Sequence, residues 1–328
     1  MNSKENMKCA IHFENPDYIP LLYYGVDHIE FSDAVLLPVE TVKGGLNGRT
    51  SEWGYVWKDE DTPFILGQVE KPSFNSWEEL HSYAPLDVSK NDRFSEAAKY
   101  MTLYPDRYFI ADFVLSGFTN MLFIRGFNEL MMDFYLEPEY VERLADIVFG
   151  TEEELIRVCA TKGFDAITLG DDWGSQRSLL VSHELFVNVF KPRYKRQIEL
   201  AHSLGLDVFM HSCGYIMDII PDLIEIGLDI LNPGQPSLNG IQKMGEAWRG
   251  KICFACPTNY QKTGITGSAL DIETEVQEYI EYLSNEQGGL FGLVSAELTQ
   301  LGASNDIQEL VLNTWHKYCG KSRETLII

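Results

Sequence analysis

The sequence predicts an α/β fold, a distorted (β/α)8 TIM barrel with an N-terminal extension. From about residue 106 onward, short β-rich runs alternate with amphipathic helical segments, which is typical of repeated βαβ units around a parallel sheet. No glycine-rich phosphate loop follows the first predicted strand, which disfavours a doubly wound dinucleotide-binding sheet. We predict a single domain over residues 1–328, in which residues 1–105 are less regular.

Seven strands are predicted as short apolar or β-branched runs. They cover residues 19–24, 108–114, 166–170, 207–211, 229–231, 252–255 and 290–294. The region 53–69 supplies either the eighth strand or one arm of a hairpin. The rest of the first hundred residues contains irregular sequence with several Gly, Trp and Pro residues, and we expect it to pack across the barrel.

The helices between the strands are marked by prolines and capping residues. Pro138 lies in the first turn of one predicted helix, and Gly163 follows as its C-terminal stop. Ser182 is expected to cap the next helix, which Pro192 should kink or divide and Gly205 should end.

The composition excludes several classes of partner. The chain carries 26 Lys and Arg against 49 Asp and Glu, a formal net charge of −23, which would repel a nucleic-acid backbone. No apolar run approaches the roughly 20 residues of a membrane helix, and the N-terminus lacks the apolar core of a secretory signal. We expect a cytoplasmic protein, and a homodimer is compatible with the sequence. The six cysteines are too few for a disulfide scaffold, so thiolate ligation is available.

The predicted strand at 207–211 ends in His-x-Cys-Gly. His211 and Cys213 are two residues apart, so on a strand both side chains point to one face. Imidazole and thiolate are ligands of zinc. The active site of a TIM barrel lies at the carboxyl ends of its strands, which favours a metal over the competing interpretation of a buried His and Cys without one.

A third metal ligand must come from another strand end. Glu297, which follows the last predicted strand, is our first choice, and Asp171 and Cys256 are the alternatives. Three protein ligands with an open fourth position are the catalytic form of a zinc site. Cys253 and Cys256 form a C-x-x-C, but residues three apart on a strand face opposite sides, so we expect no joint redox or zinc-knuckle role.

The other strand ends supply candidate catalytic and substrate-binding residues. Asp171 and Asp172 follow the strand at 166–170; because consecutive side chains point in different directions, one is expected to line the cavity and the other to cap the following turn or support a ligand. The candidate substrate-binding residues are Trp173, Asn232, Gln235 and Tyr260. Two of these are aromatic and would suit the wall of a pocket for a flat substrate, or equally the core.

Taken together, these residues resemble the uroporphyrinogen decarboxylase superfamily, specifically its cobalamin-dependent methyltransferase branch. The resemblance covers most of the chain and implies a distorted TIM barrel. It is carried by LFIRGF at 122–127 followed by Glu137-Pro138, GDDWGSQ at 170–176 with Pro192, HSCG at 211–214, DILNP at 229–233 with Gln235, and Gly288-Gly289.

Within the superfamily, the decarboxylases bind tetrapyrrole carboxylates through an arginine-rich N-terminal motif. This chain has IPLLYYG at 19–25, and the acidic strand ends would repel such a substrate, so uroporphyrinogen decarboxylation is not expected. The methyltransferases that it resembles hold zinc through the His and Cys that match His211 and Cys213, plus a Cys after the last strand. That last position is Ala296 here, next to Glu297, and a carboxylate ligand would suit an oxygen-bearing methyl donor.

The resemblance therefore implies a zinc-dependent methyltransferase. It would move a methyl group from a small O-methyl substrate, for example a methoxyaromatic compound, to cob(I)alamin on a separate corrinoid protein. The implied cofactors are Zn²⁺ and that corrinoid, and the zinc or a proton from Asp171 or Asp172 would stabilise the leaving oxygen. A metal-free lyase or decarboxylase acting on a small carboxylic acid or a tetrapyrrole is the alternative. A non-catalytic corrinoid- or tetrapyrrole-binding protein is a third hypothesis.

Overall fold

Eight short apolar runs pair in parallel and close into a barrel, which confirms the predicted α/β TIM-barrel class. The structure, a computed structural model, describes residues 1–24, 26, 29–39, 49–58, 68–84, 86–89, 91–294 and 298–319. The strands are β1 (Leu21–Tyr23), β2 (Ala34–Pro38), β3 (Val56–Trp57), β4 (Val69–Lys71), β5 (Tyr108–Asp112), β6 (Ala166–Gly170), β7 (Asp207–Ser212), β8 (Ile230–Pro233), β9 (Cys253–Pro257) and β10 (Leu290–Val294). The neighbours around the barrel are β1-β10-β9-β8-β7-β6-β5-β2, and β2 pairs with β1.

Helices surround the barrel and close its base. They are α1 (Ser3–His12), α2 (Ser95–Leu103), α3 (Gly117–Arg125), α4 (Phe127–Leu136), α5 (Pro138–Lys162), α6 (His183–Leu185), α7 (Lys191–Ser203), α8 (Ile220–Glu225), α9 (Pro236–Asn239), α10 (Ile241–Trp248), α11 (Thr263–Thr266), α12 (Ala269–Leu283) and α13 (Asn305–Tyr318). No helix in the described part of the chain combines the length and hydropathy that a membrane span requires.

The eighth barrel strand is β2, which the sequence analysis did not identify. Its run Ala-Val-Leu-Leu-Pro lies in the first hundred residues, beside β1 and β5. The region 53–69 contributes instead to an antiparallel hairpin of β3 and β4, outside the barrel. The first hundred residues therefore contain two barrel strands as well as peripheral structure.

The residues predicted to begin, cap and divide the helices do so in the structure. Pro138 begins α5, and Gly163 caps its C-terminus in the left-handed conformation. The Ser182 hydroxyl accepts a hydrogen bond from the Leu185 amide at the start of α6. A π-helical segment, Phe186–Phe190, separates α6 from α7, so the helical path is divided just before Pro192.

Alternation along each strand creates two apolar layers. One face packs inside the barrel and includes Cys253 and Ala255 of β9. The other face packs against the helices and includes Cys256. Met7 and Ile11 of α1 join the inner layer, so α1 closes the base of the barrel. All six cysteines are free.

Candidate active site at the barrel mouth

The ends of β6, β7 and β8 lie side by side at the barrel mouth. Gly170 pairs with His211, and His211 pairs with Asn232, so the residues just beyond these positions lie at one level. His211 and Cys213 point into the mouth because they lie two and four residues beyond Phe209, on the strand face that belongs to the inner layer. Asp172 reaches the same place from the end of β6.

One ligand atom from each of Asp172, His211 and Cys213 lies within 4.8 Å of the others. The His211 Nε2 atom is 3.4 Å from Cys213 Sγ and 3.7 Å from Asp172 Oδ1. The same Asp172 oxygen accepts a hydrogen bond from the Cys213 amide at 2.8 Å, which fixes the carboxylate beside the thiol. This set of nitrogen, sulfur and oxygen donors fits zinc and leaves a coordination position open.

Asn232 sets the orientation of the His211 ring. Its side-chain nitrogen donates to the Ala255 carbonyl at 2.6 Å, so its oxygen faces His211 and accepts a hydrogen bond from Nδ1. These partners place a proton on Nδ1, so Nε2 is the nitrogen that faces Cys213 and Asp172 and would bind a cation once its own proton is displaced. The structure therefore places Asn232, predicted as a substrate-binding residue, behind His211; its contact with substrate stays a prediction.

Replacing Asn232 by alanine is expected to weaken zinc binding at the mouth by about 10–100-fold, because the ring loses its orienting partner. Asn232→Asp keeps an oxygen beside Nδ1 and should retain most of the affinity. Zinc titration of the chelator-treated variants would measure this. Equal affinities for wild type and Asn232→Ala would contradict the assigned role.

Two glycines allow the loops after β6 and β7 to cross. Gly174 donates a hydrogen bond from its amide to the Cys213 carbonyl at 3.1 Å. A Cβ atom on Gly214 would lie 2.1 Å from the Gly174 oxygen, and Gly214 also has a φ of +81°, a conformation that favours glycine. This contact keeps Asp172 and Cys213 on neighbouring loops within reach of one ion.

Gly234 lies directly against the candidate metal ligands. A Cβ atom there would be 2.9 Å from both Cys213 Sγ and His211 Cε1. The next residue, Gln235, accepts hydrogen bonds from the Gly214 amide at 3.1 Å and from Gln176 at 3.0 Å. Gln235 thus connects the mouth loops to one another, and its predicted role in substrate binding stays a prediction.

Three further polar side chains surround the mouth, and two of them were not identified from the sequence. Burial and the nearby charges of Asp112 and Cys213 raise the pKa of Tyr24, and burial and Cys213 raise that of Tyr260. Both phenols therefore stay protonated and can donate hydrogen bonds. Tyr260 was predicted to bind substrate. Tyr24 and Asp112 were not identified, because both lie within the predicted strands 19–24 and 108–114 rather than after them.

Asp112 ends β5 two residues earlier than predicted. Its Oδ1 accepts hydrogen bonds from the Thr168 hydroxyl at 2.7 Å and the Val114 amide at 2.9 Å, and Val114 has a φ of 60°. This left-handed turn ends the strand, a feature that an apolar run does not reveal. Burial raises the pKa of Asp112, although these hydrogen bonds and the charge of His211 oppose the shift.

Asp171 points away from the mouth. Its carboxylate accepts hydrogen bonds from the Phe118 and Thr119 amides, each at 2.8 Å, and from the Tyr194 hydroxyl. It therefore caps the first turn of α3, in agreement with the alternation expected for consecutive aspartates. The Thr119 hydroxyl donates to Asp171 and accepts from the Asp172 amide, so Asp171 helps to position Asp172.

A second buried carboxyl group, Glu152 of α5, accepts a hydrogen bond at the N-terminus of the same helix, α3. It accepts hydrogen bonds from the Gly117 amide and from Gln197, each at 2.8 Å. Burial raises the pKa of Glu152 to about 8 and that of Asp171 to about 7. Between about pH 4.5 and 8 the folded chain thus keeps a proton on Glu152 that the unfolded chain has released. The free energy of unfolding should therefore fall as the pH rises across this window.

Glu152→Gln is expected to flatten this pH dependence, because an amide cannot ionise. It should raise the free energy of unfolding at pH 8 by about 4 kcal/mol relative to wild type, since each pH unit in the window costs wild type about 1.4 kcal/mol, and change it little at pH 5. Urea unfolding at both pH values checks this. The matched control is Glu154→Gln, since Glu154 is exposed on the same helix; equal slopes for wild type and Glu152→Gln would contradict the assignment.

The other predicted residues fall into three environments. Trp173 is fully buried and stacks on Phe118 with the ring centroids 4.5 Å apart, so it lies in the core beside the mouth. Cys256 is buried in the helix-facing layer, away from His211 and Cys213. Glu297 lies outside the described residues, so its role as a ligand stays a prediction.

The mouth is electrostatically suited to a cation. Burial lowers the pKa of His211, but Cys213, Asp172 and Asn232 have the larger, opposite effect and raise it to about 10. A cation at Nε2 must displace that proton, so its binding strengthens as the pH rises.

Comparison with a solved methyltransferase structure shows the fold. A methyltransferase from Methanosarcina mazei superimposes with a TM-score of 0.70 over 97% of this chain and 99% of its own, at 15% identity. The intracellular xylanase TsXylA from Thermoanaerobacterium saccharolyticum has a TM-score of 0.42 over 87% of each chain, at 10% identity. A search of the curated proteins found no match.

A family model adds evidence at the level of sequence. The model for uroporphyrinogen decarboxylase (URO-D) matches residues 58–297 of the 328, more than two thirds of the chain. The match includes Asp172, His211 and Cys213 and confirms the superfamily that the strand-end motifs resemble. The chain belongs to the uroporphyrinogen decarboxylase family.

Proposed function

We propose that this protein is a zinc-dependent methyltransferase that demethylates a small O-methyl substrate, such as a methoxyaromatic compound, with cob(I)alamin on a corrinoid protein as acceptor. The observation that carries the proposal is the convergence of Asp172, His211 and Cys213 on one point at the barrel mouth. Their mixed donors match a catalytic zinc site rather than a closed structural one. The structural likeness to a methyltransferase supports the same class.

Asp172 joins His211 and Cys213 in the proposed ligand set, whereas Asp171, an alternative for the third ligand in the sequence analysis, does not. The sequence analysis assigned Asp172 to proton transfer, but its Oδ1 is fixed by the Cys213 amide beside His211. Glu297 stays a predicted ligand, and Asp171 keeps a positioning role through Thr119. A zinc ion held by these side chains would supply Lewis acidity toward the ether oxygen of the substrate.

The residues of the chain would then assist departure of that oxygen. In the proposed reaction the methyl carbon bonds to cobalt(I) as its C–O bond breaks, and the oxygen keeps the electron pair. Tyr24 and Tyr260, which stay protonated, would donate hydrogen bonds to the developing oxyanion. Asp112, whose pKa is raised, is the candidate that supplies the final proton.

The test reconstitutes transfer with a purified corrinoid protein reduced to cobalt(I). The chain described here and a methoxyaromatic donor are then added to the corrinoid protein. The cobalt(I) absorption should disappear, and one phenol should be released per methyl group, as measured by mass spectrometry. Omission of the donor, or use of Cys213→Ser, should leave the absorption unchanged. Phenol release that needs no corrinoid protein would exclude the proposed acceptor.

A metal-free lyase is the second candidate, and the protonated Tyr24 near the half-buried Asp112 favours it. Such a pair can deliver a proton to a substrate carbon without zinc. Release of CO₂ from a small carboxylic acid by chelator-treated protein, with unchanged rate in Cys213→Ser, would support this function over methyl transfer.

A further inference from the structure

A second group of metal-ligating side chains lies at the opposite end of the barrel. His12 ends α1, Asp207 begins β7, and Asp229 directly precedes β8. One ligand atom from each lies within 4.8 Å of the others, and His12 Nε2 is 3.1 Å from Asp207 Oδ1. These positions are at the amino ends of the strands, whereas the mouth is at the carboxyl ends.

Each of the two carboxylates is held by one of its oxygens. Asp207 Oδ2 accepts a hydrogen bond from the Tyr108 hydroxyl at 2.5 Å. Asp229 Oδ2 accepts one from the Val208 amide at 2.8 Å and lies 2.8 Å from His202 Nε2. Asp229 Oδ1 has no hydrogen-bond partner within the described ranges of the chain. Outer partners of this kind fix the ligands of a metal site in advance.

The charge balance at the base also favours a cation. The side chains of Asp207 and Asp229 are only 14% and 15% exposed, on neighbouring strands. The nearby Lys4 and Lys8 pair instead with Asp165, at 2.8 and 3.2 Å. In the absence of a metal, the groups that can balance the two carboxylates are the imidazoles of His12, 3.1 Å from Asp207, and His202, 2.8 Å from Asp229. A divalent ion supplies the same balance with neutral imidazole.

We propose that His12, Asp207 and Asp229 form a second divalent-cation site, which takes a first-row ion such as Zn²⁺. One imidazole and two carboxylates are ligands that zinc accepts, and water would complete the coordination. The site links α1 to β7 and β8, elements that are distant in sequence. Since Met7 and Ile11 of α1 close the barrel interior, a metal here stabilises the base of the fold rather than taking part in chemistry at the mouth.

The test uses the full chain with the mouth site removed by His211→Ala and Cys213→Ser, so its result does not depend on the proposed function. After chelator treatment, this variant should still bind one Zn²⁺ per chain by calorimetry, and zinc should raise its Tm. Adding His12→Gln should weaken this binding at least about tenfold. Loss of a residue that only hydrogen-bonds to a metal ligand already weakens binding by about that factor, and His12 is itself a proposed ligand.

His183→Gln is the matched control. His183 also pairs with a carboxylate, Asp222 at 2.7 Å, but Lys191 shares that carboxylate at 2.6 Å in place of a second acid. This substitution should leave zinc binding unchanged. Asp229→Asn provides an independent ligand change should His12→Gln fail to give a folded circular dichroism spectrum.

Two results would overturn the proposal. One is the absence of saturable zinc binding and of any zinc-dependent change in Tm in the mouth-deficient variant. The other is binding of equal affinity after His12→Gln and Asp229→Asn. In either case the cluster consists of histidine–carboxylate ion pairs only.

Discussion

Replacing Cys213 by serine is expected to lower the zinc content by one ion per chain and to reduce methyl transfer at least about a hundredfold. The thiolate is the soft ligand of the mouth group, with Sγ 3.4 Å from His211 Nε2. A serine hydroxyl keeps the size of the side chain but does not ionise at neutral pH, so it is a poor ligand. Elemental analysis and the cobalt(I) assay would measure the two effects separately.

Cys9→Ser is the control for this substitution. Cys9 is a partly buried thiol on α1, at the other end of the barrel from the mouth. Its loss should change neither the rate of transfer nor zinc binding at the mouth. If Cys213→Ser retained wild-type zinc content and rate, the candidate metal centre would be wrong, and the metal-free lyase would become the better interpretation.

Replacing Gly234 by alanine is expected to disable the mouth site while the barrel stays folded. The new Cβ atom would lie 2.9 Å from both Cys213 Sγ and His211 Cε1, closer than real Cβ contacts, so the two ligands must move apart. Displacing a catalytic constellation by even about 1 Å can reduce rate about a hundredfold. Overpacking of this kind also lowers the free energy of unfolding by about 1–3 kcal/mol.

Gly150→Ala offers a control with the same chemical change. Gly150 lies within α5, and a Cβ atom there would meet no heavy atom within 4 Å. The substitution should raise the free energy of unfolding by about 0.5–1 kcal/mol, because alanine favours the helix, and should leave zinc binding unaltered. Equal zinc affinities for Gly234→Ala and wild type would show that the ligands do not need the space that glycine provides.

The two proposed metal sites make separable predictions. The mouth site depends on Cys213 and carries the chemistry, whereas the base site depends on His12 and Asp229 and affects stability. Variants at the base should therefore lower the Tm in the presence of zinc without changing the rate of methyl transfer. Cys213→Ser at the mouth should instead reduce the rate of methyl transfer and leave the zinc-dependent rise in Tm that comes from the base site.

Much of the fold could be predicted because its signals are local. Apolar runs, Pro138 and Gly163 indicated most strands and the longest helix, and the two-residue spacing of His211 and Cys213 indicated a shared direction. β2 was missed because a five-residue apolar run among irregular sequence carries little periodicity. Asp112 was missed because its strand ends in a left-handed turn at Val114. Valine is apolar and β-branched, so the sequence indicated that the strand continued through this residue.

The sequence by itself determined the barrel, the family and the shared direction of His211 and Cys213 at the end of β7, because strand alternation and short motifs act between neighbours in the chain. The tertiary structure alone decided which aspartate faces the mouth, that Asn232 stands behind His211, and that His12 meets Asp207 and Asp229. These relations join residues from different strands and helices. They depend on the register of the closed barrel, which brings together atoms that no local spacing relates.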